Sequence, residues 1–199
     1  MNTSDGITFQ VCLALGIVVF ILLRLYYSIR SRITHDLLPI PPEKRWIKIP
    51  SIIIIAAWGS AVILWLIKPD WLGWSLLALP EWLGWMGVGL MTIGLGLMAW
   101  AHETLGGSFS ATLEIRAPRQ LITAGPYKFL RHPMYAAILI SSLAVCLITG
   151  SWFIFLLSIP LQILSWMLRV PSEEALMVEE FGASYVEYRS RTGGFFPRF

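Results

Sequence analysis

The sequence predicts an all-α integral membrane bundle of about five transmembrane helices, closed by a cytoplasmic C-terminal amphipathic helix. Two observations carry this expectation. Hydrophobic residues fill 56% of the 199 positions and charged residues only 14%, with a mean hydropathy of +0.69. A soluble domain carries nearer a quarter charged residues. The apolar residues are also gathered into five runs: Ile7–Tyr27, Ile49–Ile67, Trp82–Ala101, Met134–Thr149 and Trp152–Leu168. The length suits one domain over 1–199. Three membrane helices occupy 1–101, and a loop, a helical hairpin and a last helix occupy 102–199.

Crossing a bilayer takes about 20 apolar residues, within a range of about 17 to 25. The first three runs qualify. The first is no cleaved signal peptide, since Asp5 precedes it, it is too long, and it lacks a small-residue cleavage site. In the third run Gly87, Gly94 and Ala101 recur every seven residues, as do Gly89 and Gly96. Small residues repeated on one face let helices approach closely in lipid. The fourth and fifth runs are short and divided only by Gly150-Ser151, which predicts a tight hairpin and sets four spans as the alternative count. Pro160 is expected to kink the fifth helix. Cys12 and Cys146 lie in separate apolar runs and read as small apolar fillers.

Charge gives the orientation. Arg24, Arg30 and Arg32 lie at or beyond the C-terminal end of the first run, and segments 28–48, 102–133 and the tail from Arg169 hold the other basic residues except Lys68. Fourteen of the fifteen therefore fall on one side, which the positive-inside rule makes cytoplasmic, with the N-terminus outside. The net charge of +3 is then a consequence of topology and implies no nucleic-acid partner.

Two segments look soluble. Residues 102–133 form a loop of a length that is often functional. Its acids, Glu103 and Glu114, read on composition as solvated residues. Residues 172–191 read as an amphipathic helix capped by Ser172, with Met177, Phe181 and Tyr185 on one face and Glu179, Glu180 and Glu187 on the other.

The segment "GPYKFLRHPMY", Gly125 to Tyr135, packs two prolines, two tyrosines, three basic-type side chains and a turn signal against the fourth run. Pro133 suits the first position of a helix and pushes His132 toward an extended N-cap conformation. Tyr135, three residues on, shares its face. The free N–H groups of the helix start favour an anion. Lys128 and Arg131 are accounted for by headgroup anchoring, whereas His132-Pro133-Met134-Tyr135 as a unit points to function. Glu173 and Glu174 follow the fifth run. Dipole stabilisation in a first helical turn explains them as well as a site does. Arg169 fits either a snorkelling residue or an anion ligand. There is no Gly-rich phosphate loop, no HExxH and no cysteine cluster, and with three histidines no metal site is predicted.

Taken together, "GPYKFLRHPMY" and "EEALMVEEFGASYVEY" make residues 105 to 199 resemble the isoprenylcysteine carboxyl methyltransferase family. That family pairs an RHPxY stretch with a Glu-Glu pair after the next membrane hairpin. The resemblance implies an S-adenosyl-L-methionine site in the cytoplasmic C-terminal half. Tyr127, His132, Pro133, Met134 and Tyr135 match the family's cofactor positions, as do Leu121, Ile122 and Glu173, with Glu174 beside it. Glu114 stands where the family often has glutamine. Arg169 matches an arginine used near the substrate carboxylate. The implied activity is methyl esterification of a prenylated C-terminal cysteine or a similar lipid-like acid. A phospholipid N-methyltransferase, an NADPH-dependent membrane sterol or enone reductase, and a non-enzymatic lipid-binding protein are the alternatives.

Overall fold

The computed structural model describes residues 3–34, 45–105 and 121–198. Six α-helices carry the chain: α1 (Thr3–Thr34), α2 (Arg45–Ile67), α3 (Glu81–Leu105), α4 (Pro133–Thr149), α5 (Trp152–Phe181) and α6 (Ala183–Arg191). Short 3-10 turns at Pro69–Ser75 and Gly125–Lys128 interrupt the connections. Among the described residues no β-strand forms, and only two isolated bridges pair extended backbone.

By length and composition α1, α3 and α5 can each cross a bilayer, and the chain is a multi-pass membrane protein. The bent pair of α2 and the Pro69–Ser75 turn, which meet at 118°, makes a fourth candidate span. At 17 residues α4 is about 25 Å long, short of a hydrocarbon core of about 30 Å. On α1 the residues Ile7, Val11, Leu15, Val18, Leu22 and Leu25 form one exposed stripe at helical spacing. Phe9 and Leu13, on the opposite stripe, are buried. Outward apolar residues on such a helix face lipid, so they need no protein partner.

The helical hairpin forms as the sequence predicts. Gly150 adopts φ 62° at the end of α4, and the Ser151 hydroxyl accepts from the Ile154 N–H to start α5. Ser151 also shares a 2.8 Å hydrogen bond with Ser75, and Leu77 N–H donates to the Gly150 carbonyl at 2.8 Å. These bonds fix one end of the bundle. The main apolar core lies beside them, built from Phe9, Trp65, Leu72, Met91, Ile148 and Ile154 with their neighbours. Cys146 is buried there, 3.4 Å from the Ser158 hydroxyl, as a filler.

The most extensive contact joins α3 to α4, which run antiparallel. Its cause is the seven-residue repeat of small residues. A side chain added at Gly87 would place Cβ 3.0 Å from the Ala144 carbonyl oxygen, and one at Gly94 would lie 3.1 Å from the Ala137 carbonyl oxygen. The second repeat, Gly89 and Gly96, faces open space. Antiparallel packing carries the C-terminal end of α3 to the N-terminal end of α4, where the polar segment sits.

Three boundaries differ from the sequence expectation. Residues 102–105 belong to α3, so Glu103 is a helix residue rather than a solvated loop residue. It accepts hydrogen bonds from Tyr27 (3.1 Å) and Arg30 (3.1 Å) of α1. His102 beside it is fully buried and stacks on the Tyr27 ring. The second difference is in α5, which continues through Pro160, Pro171 and Ser172 to Phe181. No new helix starts at Ser172. An internal proline removes one hydrogen bond and crowds one carbonyl, a loss that apolar helices absorb when neighbours compensate. Here the Arg169–Glu173 ion pair spans Pro171 at 2.8 Å. The break comes instead at Gly182, whose φ of 55° and ψ of −130° suit only glycine. The expected amphipathic helix 172–191 is therefore the end of α5 plus a separate α6, which is the third difference.

Gly94→Val should lower stability by about 1–3 kcal/mol, the usual cost of overpacking. Gly96→Ala, where nothing lies within 4 Å, should not lower it and should raise it by up to about 1 kcal/mol through helix propensity. Thermal unfolding of both variants in detergent checks the pair of outcomes.

Candidate active site at the start of helix four

Gly125 takes φ 56° and opens the Gly125–Lys128 turn close against Thr104, which ties the segment to the end of α3. The chain then extends through Leu130, Arg131 and His132. Their backbone pairs with the C-terminal tail: Arg131 N–H donates to the Gly193 carbonyl (2.8 Å) and His132 N–H to the Gly194 carbonyl (3.1 Å). His132 is the N-cap residue, with φ −122° and ψ 58°, and Pro133 follows buried at the first helical position. The imidazole makes no cap bond. It is thereby turned outward from α4 toward α5.

There it meets the two carboxylates. His132 Nε2 lies 3.4 Å from Glu174 Oε1, and His132 Nδ1 lies 3.8 Å from Glu173 Oε2. Glu173 Oε1 accepts from the Tyr135 hydroxyl at 2.5 Å and from Arg169 Nε at 2.8 Å. Glu174 Oε1 accepts from Arg131 Nε at 2.8 Å, and Glu174 Oε2 lies 3.5 Å from Arg189. Arg131 also donates to the carbonyl oxygens of Thr192 and Arg189. The Arg131 and Glu174 side chains are only 17% and 15% exposed, so this is a partly buried pair that is costly to break from one side.

His132, Tyr135, Arg169, Glu173 and Glu174 thus form one continuous cluster. Pro133 sets its backbone, and Met134 is half-buried in the same turn. Tyr127 is buried one layer behind, with its carbonyl accepting from the Tyr188 hydroxyl of α6 at 2.7 Å. Leu121 and Ile122 are half-buried at the start of this segment. Glu114 lies outside the described residues.

The basic residues divide. Lys128 is exposed over the Phe129 ring, as headgroup anchoring expects. Arg131 is a clamp between α4, α5, α6 and the tail, which anchoring does not explain. The dipole reading of Glu173 and Glu174 fails as well, because both sit deep inside α5 and not in its first turn. Three site residues were missed in the sequence. Trp166 is buried and its ring lies 5.2 Å from Tyr135; its spacing from Arg169 and Glu173 marks one face of α5. Phe195 of the tail stacks on Trp166 at 5.5 Å, and nothing in a terminal "GGFF" signals that. Arg24, read only for topology, lies within electrostatic reach of Arg169. Its signal was an arginine inside an apolar run.

Burial holds the His132 pKa below its ordinary value of 6.5, against the upward pull of Glu173 and Glu174. The imidazole is therefore neutral at pH 7. Burial likewise raises the Tyr127 and Tyr188 phenols, which stay protonated. The carboxylate acceptors suit a polar ligand with hydroxyl or cationic groups. Carboxylates accept from both, and the adjoining aromatic faces offer stacking.

His132, Tyr135, Arg169, Glu173 and Glu174 lie within a segment that is matched elsewhere, with Arg189 and Phe195 beyond it. Residues 82–184 match the family described as phospholipid methyltransferase, and the chain belongs to that family. Within it, the expected similarity to isoprenylcysteine methyltransferases is borne out. The chain is 29% identical over 115 residues to the protein-S-isoprenylcysteine O-methyltransferase of Schizosaccharomyces pombe, covering 55% of this chain and 48% of that protein. It is 31% identical over 110 residues to protein-S-isoprenylcysteine O-methyltransferase B of Arabidopsis thaliana, covering 53% and 54%. The match thus spans about half the length of these curated relatives. The fold is similar to a solved structure of the eukaryotic intramembrane Ras methyltransferase ICMT (isoprenylcysteine carboxyl methyltransferase), with a TM-score of 0.54. The identity there is 24%, over 79% of this chain and 54% of the other.

A folded-state pKa below 6.5 means that the unfolded chain binds the His132 proton more readily. The stability from this group is complete above that value and is lost as pH falls below it. Wild type should therefore lose more stability between about pH 7 and 5 than His132→Gln does. Denaturation midpoints of both proteins across that window measure the difference.

Proposed function

We propose that the chain is an S-adenosyl-L-methionine-dependent carboxyl methyltransferase. Its acceptor would be the carboxylate of a prenylated C-terminal cysteine or a similar lipid-like acid. The observation that carries this reading is the junction at Glu173, where one carboxylate binds both Tyr135 of α4 and Arg169 of α5. The names of the relatives support the reaction class.

The residues fit the cofactor by their chemistry. Glu173 and Glu174 would accept from ribose hydroxyls or an ammonium group, and His132, Pro133, Met134 and Tyr135 would frame them. Tyr127, Leu121 and Ile122 would complete the surroundings, with Glu114 from the preceding loop. When bound, the cofactor supplies an electrophilic methyl group on a positively charged sulfur. A carboxylate acceptor is already ionised at neutral pH and needs no general base. What the protein must do is position it. Glu173 orients Arg169 through Nε, and a guanidinium matches the planar geometry of a carboxylate. Partial burial strengthens that grip by lowering the local dielectric. In this reading the N-terminus is outside, the site faces the cytoplasm, and the lipid-modified acceptor enters from the bilayer.

A second reading, phospholipid N-methylation, is favoured by the family description. The products separate the two: a carboxyl ester is base-labile, whereas an N-methylated lipid is base-stable. With labelled S-adenosyl-L-methionine and a farnesylcysteine analogue, purified protein should yield a base-labile product. Only base-stable, lipid-extractable label would reverse the assignment. Arg169→Lys keeps the charge but loses the fork, and should lower kcat/KM by about 10- to 100-fold. S-adenosylhomocysteine binding, read by calorimetry, should survive in Arg169→Lys and be lost in His132→Ala.

A further inference from the structure

At the end of the bundle opposite the start of α4, the helices leave a cavity of about 300 Å³. Its walls come from the start of α1, the end of α2, the start of α3, the end of α4 and the linker after the Pro69–Ser75 turn. The volume is at the lower end of the range for small-molecule sites. The 17 residues of α4, about 25 Å, separate it from His132 and Tyr135. It is a second site and not an extension of the first.

The polar groups of the cavity are few. Trp65 lines it and is 2% exposed, and its indole N–H has no hydrogen-bond partner. Of the two α2 tryptophans in that state, Trp58 and Trp65, only Trp65 borders the cavity. A buried donor left unpaired is unfavourable, and within a bilayer no water takes the partner's place. At the mouth stand two exposed carboxylates, Asp70 and Glu81. Each lies in the first turn of its helix, where the dipole favours an acid. That they border one cavity does not follow from the dipole. None of the described residues lining the cavity is basic, and Lys68 near by lies over the Trp71 ring, 5.1 Å from its centre.

The rim is apolar. Ile7, Leu77 and Leu79 line the cavity and are exposed, and Trp71, Trp74 and Trp82 are exposed at the same end of the bundle. Tryptophans so placed mark a membrane–water interface, so the mouth opens at the level of lipid headgroups.

We propose that this cavity holds the headgroup of a phospholipid bearing a primary ammonium, taken from the leaflet opposite the candidate active site. The ammonium gives three N–H donors to Asp70 and Glu81, and an oxygen of the same lipid accepts from the Trp65 N–H. The acyl chains run along Ile7, Leu77 and Leu79. A quaternary ammonium brings charge without donors, and a headgroup of net negative charge is repelled by both acids. The lipid is bound here and not methylated, since the candidate active site is the length of α4 away. The proposal does not depend on the methyl-transfer reading.

The test titrates full-length protein in detergent with phosphatidylethanolamine, phosphatidylcholine and phosphatidylglycerol of matched acyl chains, read by native mass spectrometry. Wild type should bind one phosphatidylethanolamine at least about fivefold more tightly than either other lipid. Trp65→Phe keeps a ring in the wall and removes the donor, and should weaken that lipid about fivefold, the worth of one hydrogen bond. Asp70→Asn combined with Glu81→Gln should abolish the preference over phosphatidylcholine. Thermal unfolding without added lipid confirms that each variant is folded. If Trp65→Phe does not fold, the exposed acidic pair decides alone. Equal binding of the three lipids, preference for the anionic one, a preference that survives in the double variant, or folded Trp65→Phe that binds like wild type would overturn the proposal. None of these outcomes touches the reaction assigned to the other end of the bundle.

Discussion

Two adjacent carboxylates hold together everything at the functional end of this bundle. Glu173 joins the first turn of α4 to α5 through Tyr135 and Arg169. Glu174 joins α5 to the extended segment before α4 through Arg131, and to α6 through Arg189. Arg131 then reaches the tail carbonyls. Taking carboxylates partly out of water is unfavourable unless their lone pairs are filled by well-placed donors. Here nearly every donor comes from a different element. The cost of burying the acids is thus offset only when all of those elements are in place, which makes the site and the local fold one cooperative unit.

That unit needs a frame, and the frame is steric. In lipid there is no hydrophobic force to press helices together, so close backbone packing must do it. Gly87 and Gly94 let α3 and α4 approach until added side chains would touch main-chain atoms of the partner. Because the two helices are antiparallel, this contact also fixes where α4 begins. At the far end, the Ser75–Ser151 bond and the Gly150 turn set the start of α5. From there α5 runs 30 residues, about 45 Å, which exceeds the membrane core and projects its last turns beyond it. Trp166, Arg169 and Glu173 occupy the stretch where apolar helix becomes polar helix.

The sequence made some of this legible and hid the rest, for identifiable reasons. The apolar runs, the hairpin and the glycine repeat were readable because hydropathy and small-residue spacing act locally. His132-Pro133 was readable because proline dictates the backbone of its neighbour. The helix expected to begin at Ser172 was not there, since a proline signals a break only when nothing bridges it, and Arg169–Glu173 does. Glu103 was taken for a loop residue because its partners, Tyr27 and Arg30, are over seventy positions away. Phe195 was invisible for the same reason. A terminal phenylalanine carries no local pattern, and its place follows from Arg131 and two backbone pairings.

The electrostatics of the cluster bear on what its acceptor can be. Around Glu173 and Glu174 stand Arg131, Arg169 and Arg189, while His132 is held neutral by burial. Three guanidinium groups facing two carboxylates leave positive charge in excess among the described residues, and Arg24 of α1 adds to the field at Arg169. A cationic group approaching Arg169 would be repelled and an anionic one attracted, which is the electrostatic basis of the carboxylate acceptor proposed above.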